Sequence, residues 1–187
     1  MQAIDAGALR LKPLIVAHAE AMYEILAEPE IQRYLDHPPP PSVAHLREVY
    51  RKLETRRSPD GTQHWLNWAM RAPDGSLLGY VQATVMASQT AWVAYLLASR
   101  HRGRGHAATS VRAMMAHLER DHAVRRFLAT VEVENRRSIK LLERLGFHAA
   151  TTAELEGHEL SSTECLFVAE PGSESRRIAT SPKDIAS

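Results

Sequence analysis

After Gly61 the hydrophobic spacing changes from a period of 3.6 to a period of 2, and the runs that follow are joined by very short turns. His64 to Arg71, Leu77 to Ala87 and Ala91 to Leu97 read as strands, with turns at Pro73-Asp74-Gly75 and Ser88-Gln89. Turns this short leave no room for a crossover, so the three strands pair antiparallel as a meander. That argues against a doubly wound sheet, which wants a helix between its strands.

The third strand runs into Arg100-His101-Arg102-Gly103-Arg104-Gly105-His106-Ala107, and a helical pattern extends from Ala107 to about Arg120. A helix N-terminus leaves backbone N–H groups without partners and carries partial positive charge. Glycines let that backbone come close to an anion, so the stretch is a candidate phosphate cradle. An ordinary turn with solvated arginines is the alternative. The P-loop pattern is excluded, because His106-Ala107 stand where Lys and Ser or Thr are needed. Gly103-x-Gly105-x-x-Ala108 fits the looser dinucleotide fingerprint, but that belongs after the first strand of a βαβ unit, and several strands come earlier here.

The rest of the chain frames this loop. Leu9 to Leu14 alternates and reads as a first strand; Ala17 to Ala27 reads as a helix ended by Pro29, and Glu30 to Leu35 as a further short turn. Pro38 to Pro41 is a stiff break, after which Ser42 caps a helix running to about Arg56. Ala107, Val111, Met114 and Leu118 form an apolar stripe on the helix behind the loop. Phe127 to Val133 is a strand parallel to Ala91–Leu97 through a right-handed crossover. Ser138 to Leu145 is a short helix stopped by Gly146, and Phe147 to Thr152 and Thr163 to Val168 are a closing hairpin with a long loop. Together these give an α/β (α+β) chain with one mixed, mostly antiparallel sheet of six to seven strands. Its single domain is expected over residues 7–170, with 171–187 as a loose polar tail.

Bulk properties narrow the partners. A formal net charge of +1 gives no polycation for nucleic acid, and no apolar run is long enough to span a bilayer. Residues Met1 to Asp5 lack the layout of a signal peptide, and the one cysteine, Cys165, cannot form an internal disulfide; both suit a reducing cytoplasm. Ten histidines show no His-x-x-x-His or Cys-x-x-Cys spacing, so no metal is expected, and Cys165 is expected to be buried and inert.

The element order, with two motifs in it, resembles the GNAT superfamily of N-acetyltransferases. The first motif is Arg100-His101-Arg102-Gly103-Arg104-Gly105, similar to that family's cofactor loop. The second is Asn135-Arg136-Arg137-Ser138 followed by Leu145-Gly146-Phe147, which looks like the branch of ribosomal-protein N-terminal acetyltransferases. Leu9-Arg10-Leu11-Lys12-Pro13 and Glu28-Pro29-Glu30-Ile31 suit the same branch.

The resemblance implies transfer of an acetyl group from acetyl-CoA to a primary amine, either a protein N-terminus or a small molecule, in a ternary complex. It implies that the fourth and fifth strands, Ala91–Leu97 and Phe127–Val133, splay apart. The diphosphate of coenzyme A would rest on the N–H groups from Arg102 through Ala107, that is Arg102, Gly103, Arg104, Gly105, His106 and Ala107. A backbone N–H of Leu96 or Leu97 would polarise the thioester carbonyl. Many of these enzymes protonate the departing thiolate with a Tyr from the short helix; Leu142 stands in its place, and Ser138 is where the branch could supply a hydroxyl. Asn135 would cap that helix and reach the cofactor. For the base, Glu132, His158, Glu164 and His64 remain open, Glu132 sharing a strand face with Thr130 and Leu128. Symmetric dimers are common among such enzymes, so a homodimer is the starting expectation. A non-catalytic acyl-CoA-binding protein and a nicotinamide-binding oxidoreductase are the competing functions.

Overall fold

The computed structural model describes residues 1–35 and 38–172. Residues 173–187, nearly all of the expected tail, lie outside the described residues. Eight strands form one sheet: β1 (Ile4–Ala6), β2 (Leu9–Pro13), β3 (Gln63–Arg71), β4 (Leu77–Met86), β5 (Thr90–Leu97), β6 (Arg126–Glu132), β7 (His148–Ala149) and β8 (Glu164–Ala169), in the order β1-β2-β3-β4-β5-β6-β8-β7. Every neighbouring pair is antiparallel except β5 with β6. The helices are α1 (Ala19–Leu26), α2 (Pro29–Gln32), α3 (Val43–Leu53), α4 (His106–Asp121), α5 (Arg136–Arg144) and α6 (Thr152–Leu155).

The strand count exceeds the expected six to seven because β1 is only three residues long, too short to show alternation. It hairpins onto β2 through Gly7, whose φ of 66° suits a residue without a Cβ. The expected strand to Thr152 is instead two residues long, and α6 follows it. Thr151 accepts the Glu154 N–H while the Glu154 carboxylate accepts the Thr151 N–H, a capping box that starts the helix there.

Two cores flank the sheet. On one face Val111, Met114 and Leu118 of α4 and Leu142 of α5 pack with Trp68, Val81, Val93, Phe127 and Phe147, all buried. This is the apolar stripe read from the sequence, used for packing. On the other face α1 and α3 bring Met22, Ile25, Leu46 and Tyr50 against Ala69, Leu77 and Leu96. Ser42 caps α3, its Oγ accepting the His45 N–H at 3.1 Å.

The sheet has a seam. β5 and β6 are in register only at Thr90–Arg126, Ala91–Phe127 and Trp92–Leu128, and then separate. Beyond Trp92, β5 keeps β4 on its other side as far as Leu97. There Gly79 of β4 comes so close that a Cβ on it would lie 2.0 Å from the Leu96 carbonyl oxygen. The Ala98 N–H donates to the Leu78 carbonyl at 2.8 Å. Backbone groups of alternate strand residues point the same way, so Leu96 and Ala98 both face β4. Tyr95 and Leu97 therefore turn their N–H groups into the gap.

At the far end of α4, three imidazoles meet edge to face: His117 with His122 at 5.7 Å and His122 with His64 at 5.9 Å. His117 is buried beside Trp68 and donates from Nδ1 to Asp121 at 2.6 Å. Burial lowers the pKa of His117 despite Asp121, and lowers that of His122 with help from His117 and His64. Burial likewise lowers His18 beneath α3. A folded pKa below the ordinary 6.5 means that the unfolded chain binds these protons first. The associated stability is complete above pH 6.5 and disappears as pH falls from there toward the folded values. Thermal melts should therefore show a midpoint that drops between about pH 6.5 and 5, before the carboxylates near 4 begin to titrate. A flat midpoint across that window would mean the imidazoles are not held neutral.

Candidate active site

The loop entering α4 is shaped by two left-handed glycines, Gly103 at φ 79° and Gly105 at φ 78°. A short 3-10 turn, Ser99–His101, precedes it, so the chain leaves β5, turns twice and starts a helix within nine residues. Gly105 is the N-cap and supplies no side chain; the first turn of α4 holds no acidic residue. The first N–H groups used internally on either side are that of Arg102, to the Ser99 carbonyl, and that of Thr109, to the Gly105 carbonyl. Between them, the N–H groups of Gly103, Arg104, Gly105, His106, Ala107 and Ala108 find no acceptor among the described residues. The expected set from Arg102 to Ala107 thus loses its first backbone donor and gains Ala108. Residues 103–105 are exposed, with open space where Cβ atoms of the two glycines would sit. A bare helix start aimed at solvent is a site for an anion such as a phosphate.

The two arginines behave differently. The Arg102 side chain folds back over α2 and donates from Nη1 to Glu30 at 2.8 Å, a pair screened on its Glu30 side by solvent. Arg104 is exposed and makes no ion pair among the described residues. α2 is itself moored to the loop, Glu28 accepting the Ser99 N–H at 2.8 Å.

Beside the loop, where β5 and β6 part, lies a cavity of about 190 Å³. Ile31, Tyr34 and Leu35 wall it on the α2 side, Tyr95, Leu96 and Leu97 on the β5 side, and Arg137, Ser138 and Leu141 on the α5 side, with Asn135, Ala107, Arg102 and Glu30 at its edges. Its wall on β5 is a strand edge whose Leu97 N–H has no neighbouring strand. Of the two residues expected to present a donor there, Leu96 turns its N–H to β4 and not to the gap, and Leu97 faces the gap.

Asn135 is the N-cap of α5, its Oδ1 accepting the Ser138 N–H at 3.2 Å. Ser138 lines the cavity, and its hydroxyl lies 2.6 Å from the phenolic oxygen of Tyr95 on β5. Burial pushes the Tyr95 phenol up to about 12, the bond to Ser138 pulling the other way. The sequence reading did not include Tyr95. Along β5 it shares the α5 face with Val93, but its partner is 43 positions away and no local pattern marks it.

The base candidates are dispersed. Glu132 alternates with Val131, which packs on the α5 face, so Glu132 points to the opposite face, and it does not line the cavity. It lies in the separated part of β6, opposite Glu164 in register, and accepts from the Thr163 hydroxyl at 3.4 Å. Glu164 accepts the Ser161 N–H at 3.1 Å. His158 stacks edge-on against Trp92 at 5.4 Å, near the point where the strands part. His64 is removed from consideration: it touches His122, just past the C-terminus of α4. That end is about 24 Å from the glycine loop along a sixteen-residue helix. Cys165 is half-buried rather than buried, with Sγ 3.3 Å from the Val131 carbonyl, and burial raises its thiol pKa. Among the described residues no group of His, Cys, Asp and Glu could hold a metal ion.

The bare helix start and the free strand edge fit one extended ligand with phosphates at one end and an amide-bearing arm along β5. A dinucleotide fold is ruled out by the antiparallel meander that precedes the loop.

Residues 8–148 match the family model of the acetyltransferase (GNAT) domain. No curated protein matches the sequence. Among solved structures, the chain is similar to RimL, a ribosomal L7/L12 alpha-N-protein acetyltransferase in complex with coenzyme A (TM-score 0.76, 18% identity, 90% of this chain and 97% of that one). It is also similar to Mycobacterium smegmatis RimJ in complex with CoA-disulfide (TM-score 0.73, 21% identity, 94% and 90%). A third is a spermidine N-acetyltransferase SpeG chimera from Vibrio cholerae and hSSAT (TM-score 0.71, 18% identity, 92% and 99%). At these identities the likeness to solved structures is one of fold.

Proposed function

Because the chain belongs to the GNAT acetyltransferase family, we propose that it transfers an acetyl group from acetyl-CoA to a primary amine, an N-terminal amine of a protein or a small molecule. One observation carries this reading: six N–H groups at the start of α4, without an acceptor among the described residues, lie next to a cavity where β5 and β6 separate. RimL and RimJ, whose structures hold coenzyme A or its disulfide, share the fold, which supports the ribosomal-protein branch. The spermidine enzyme shares it too, so both acceptor classes belong in the test. Among the described residues no helix is long and apolar enough to cross a membrane.

Bound acetyl-CoA supplies the chemistry: the amine nitrogen bonds to the thioester carbonyl carbon, and the electron pair of the broken C–S bond leaves on sulfur. The chain supplies the surroundings. Gly103 to Ala108 hold the diphosphate with backbone N–H groups and the positive end of α4, and Arg104 adds charge. The Leu97 N–H, held in the gap by β4, donates to the carbonyl oxygen as it gains charge. The Ser138 hydroxyl, on the helix capped by Asn135 and lining the cavity, is assigned to donate its proton to the departing sulfur. Glu132, on the separated stretch of β6 and on the face away from the cavity, is the base assigned to the proton that the nitrogen sheds, with the acceptor amine entering from that face.

The test is a screen of purified protein with acetyl-CoA against peptides, polyamines, amino acids and aminoglycosides, read by thiol release. Turnover on one class is expected. Tight coenzyme A binding with no transfer to any amine would show a binding protein instead.

A further inference from the structure

Beside Ser138 the cavity holds the Tyr95 hydroxyl, to which the proposed reaction gives no role. Tyr95 comes from β5 and Ser138 from α5, and their oxygens are 2.6 Å apart where strand and helix meet at the base of the cavity. A serine hydroxyl has one proton and two lone pairs. Left alone, it would turn among several acceptors, including carbonyls of its own helix. The Tyr95 hydroxyl can also donate to the Ser138 carbonyl at 3.3 Å, a longer contact that competes with Oγ for the same proton.

We propose that Tyr95 is a positioning residue for Ser138: by donating to Ser138 Oγ it leaves the serine proton aimed at the sulfur of the acyl donor. The phenol keeps its proton throughout. With its pKa pushed up to about 12 it is a poor source of protons for a thiolate and a steady donor of a hydrogen bond. Donation into Oγ also polarises the serine O–H, since hydrogen bonds in a chain strengthen one another. Tyr95 is well placed for this because it neighbours Leu97 on β5. One strand thus sets both the carbonyl donor and the orientation of the sulfur-side hydroxyl. The proposal rests on the Ser138 assignment above, and the experiment separates the two.

The readout is the thiol of bound coenzyme A, followed by its thiolate absorbance as pH is raised. In the native protein the bound thiol is expected to ionise at lower pH than free coenzyme A, because a hydroxyl donates to the thiolate. Tyr95→Phe keeps the ring and should lose about tenfold in thiol acidity and in kcat, the value of one hydrogen bond. Its affinity for coenzyme A and its KM should stay within about twofold, because the diphosphate grip is untouched. Ser138→Ala should lose at least as much. Adding Tyr95→Phe to Ser138→Ala should then change nothing further, since the two act in series.

A Tyr95→Phe protein with native thiol acidity and native kcat, beside an impaired Ser138→Ala, overturns the Tyr95 proposal and leaves the Ser138 assignment standing. Additive losses overturn it as well, because Tyr95 would then act without Ser138. A native protein whose bound thiol titrates like free coenzyme A, together with a fully active Ser138→Ala, overturns the Ser138 assignment itself. Should Tyr95→Phe not fold, fluorotyrosine at position 95 has nearly the same shape and a more acidic phenol. It must then lower the thiol titration below the native value, and an unchanged titration overturns the proposal.

Discussion

Gly105→Asp is expected to reduce coenzyme A affinity by more than about 100-fold while the protein still folds. The new carboxylate would stand at the N-cap of α4, beside the six N–H groups that have no acceptor among the described residues. One unit charge about 5 Å from a phosphate, at an effective dielectric constant of about 20, costs roughly 3 kcal/mol. A diphosphate carries more than one such charge. The cost to folding is far smaller. Nothing lies within 4 Å of where the Cβ would be, so only the φ of 78° opposes the substitution, at about 1 kcal/mol. Gly105→Ala isolates that backbone cost, because it adds the Cβ without the charge and should bind within about tenfold of the native protein. Calorimetric titration with coenzyme A, paired with melting curves, distinguishes the two. Undiminished affinity in Gly105→Asp would remove the glycine loop from the diphosphate site.

The largest effect on the fold is expected at Gly79. An added Cβ would meet the Leu96 carbonyl oxygen at 2.0 Å, its carbon at 2.8 Å and the Leu97 Cα at 3.0 Å. These are backbone atoms and cannot rotate away, so β5 has to move. Overpacking costs about 1–3 kcal/mol, and a backbone at φ 152° adds a strain of similar size. At about 2–4 °C per kcal/mol for a chain of this length, Gly79→Ala should melt roughly 10 °C lower. The displaced segment holds Tyr95 and Leu97, so activity should suffer beyond stability. Loss of one preorganised donor to a developing oxyanion costs about 100-fold or more in kcat. Gly7→Ala is the matched control, with φ 66° and open space around the Cβ; it should lose about 1 kcal/mol and keep its kcat. An active, native-like Gly79→Ala would show that the line of β5 does not matter to turnover.

The features legible in the sequence are those carried by neighbours along the chain. Pro73-Asp74-Gly75 and the strands on either side of it signalled the meander, because turn chemistry and period 2 are local. Val111, Met114 and Leu118 signalled the buried side of α4, and Asn135 its role as a cap, for the same reason. Three kinds of feature were not legible. Very short elements such as β1 and α6 carry too few residues for a period. Backbone direction could not be assigned between Leu96 and Leu97, since it depends on how β4 pairs and on the close approach at Gly79. Contacts across long separations, Tyr95 with Ser138 and Arg102 with Glu30, leave no trace in spacing. The same limit kept His64 among the bases: its sequence position near a strand entrance says nothing about the end of α4 it touches.

Among the described residues, the three register pairs between β5 and β6 are the only ladder between two blocks, β1 to β5 on one side and β6, β8 and β7 on the other. A ligand whose arm carries amides would act there as a ninth, borrowed ribbon, closing a slit that the polypeptide leaves unlaced. The empty and filled proteins would then differ in stiffness more than in shape. Slow amide exchange across Val93 to Leu97 would report occupancy, and the acyl donor would be both the reagent and the rivet that fastens the two blocks.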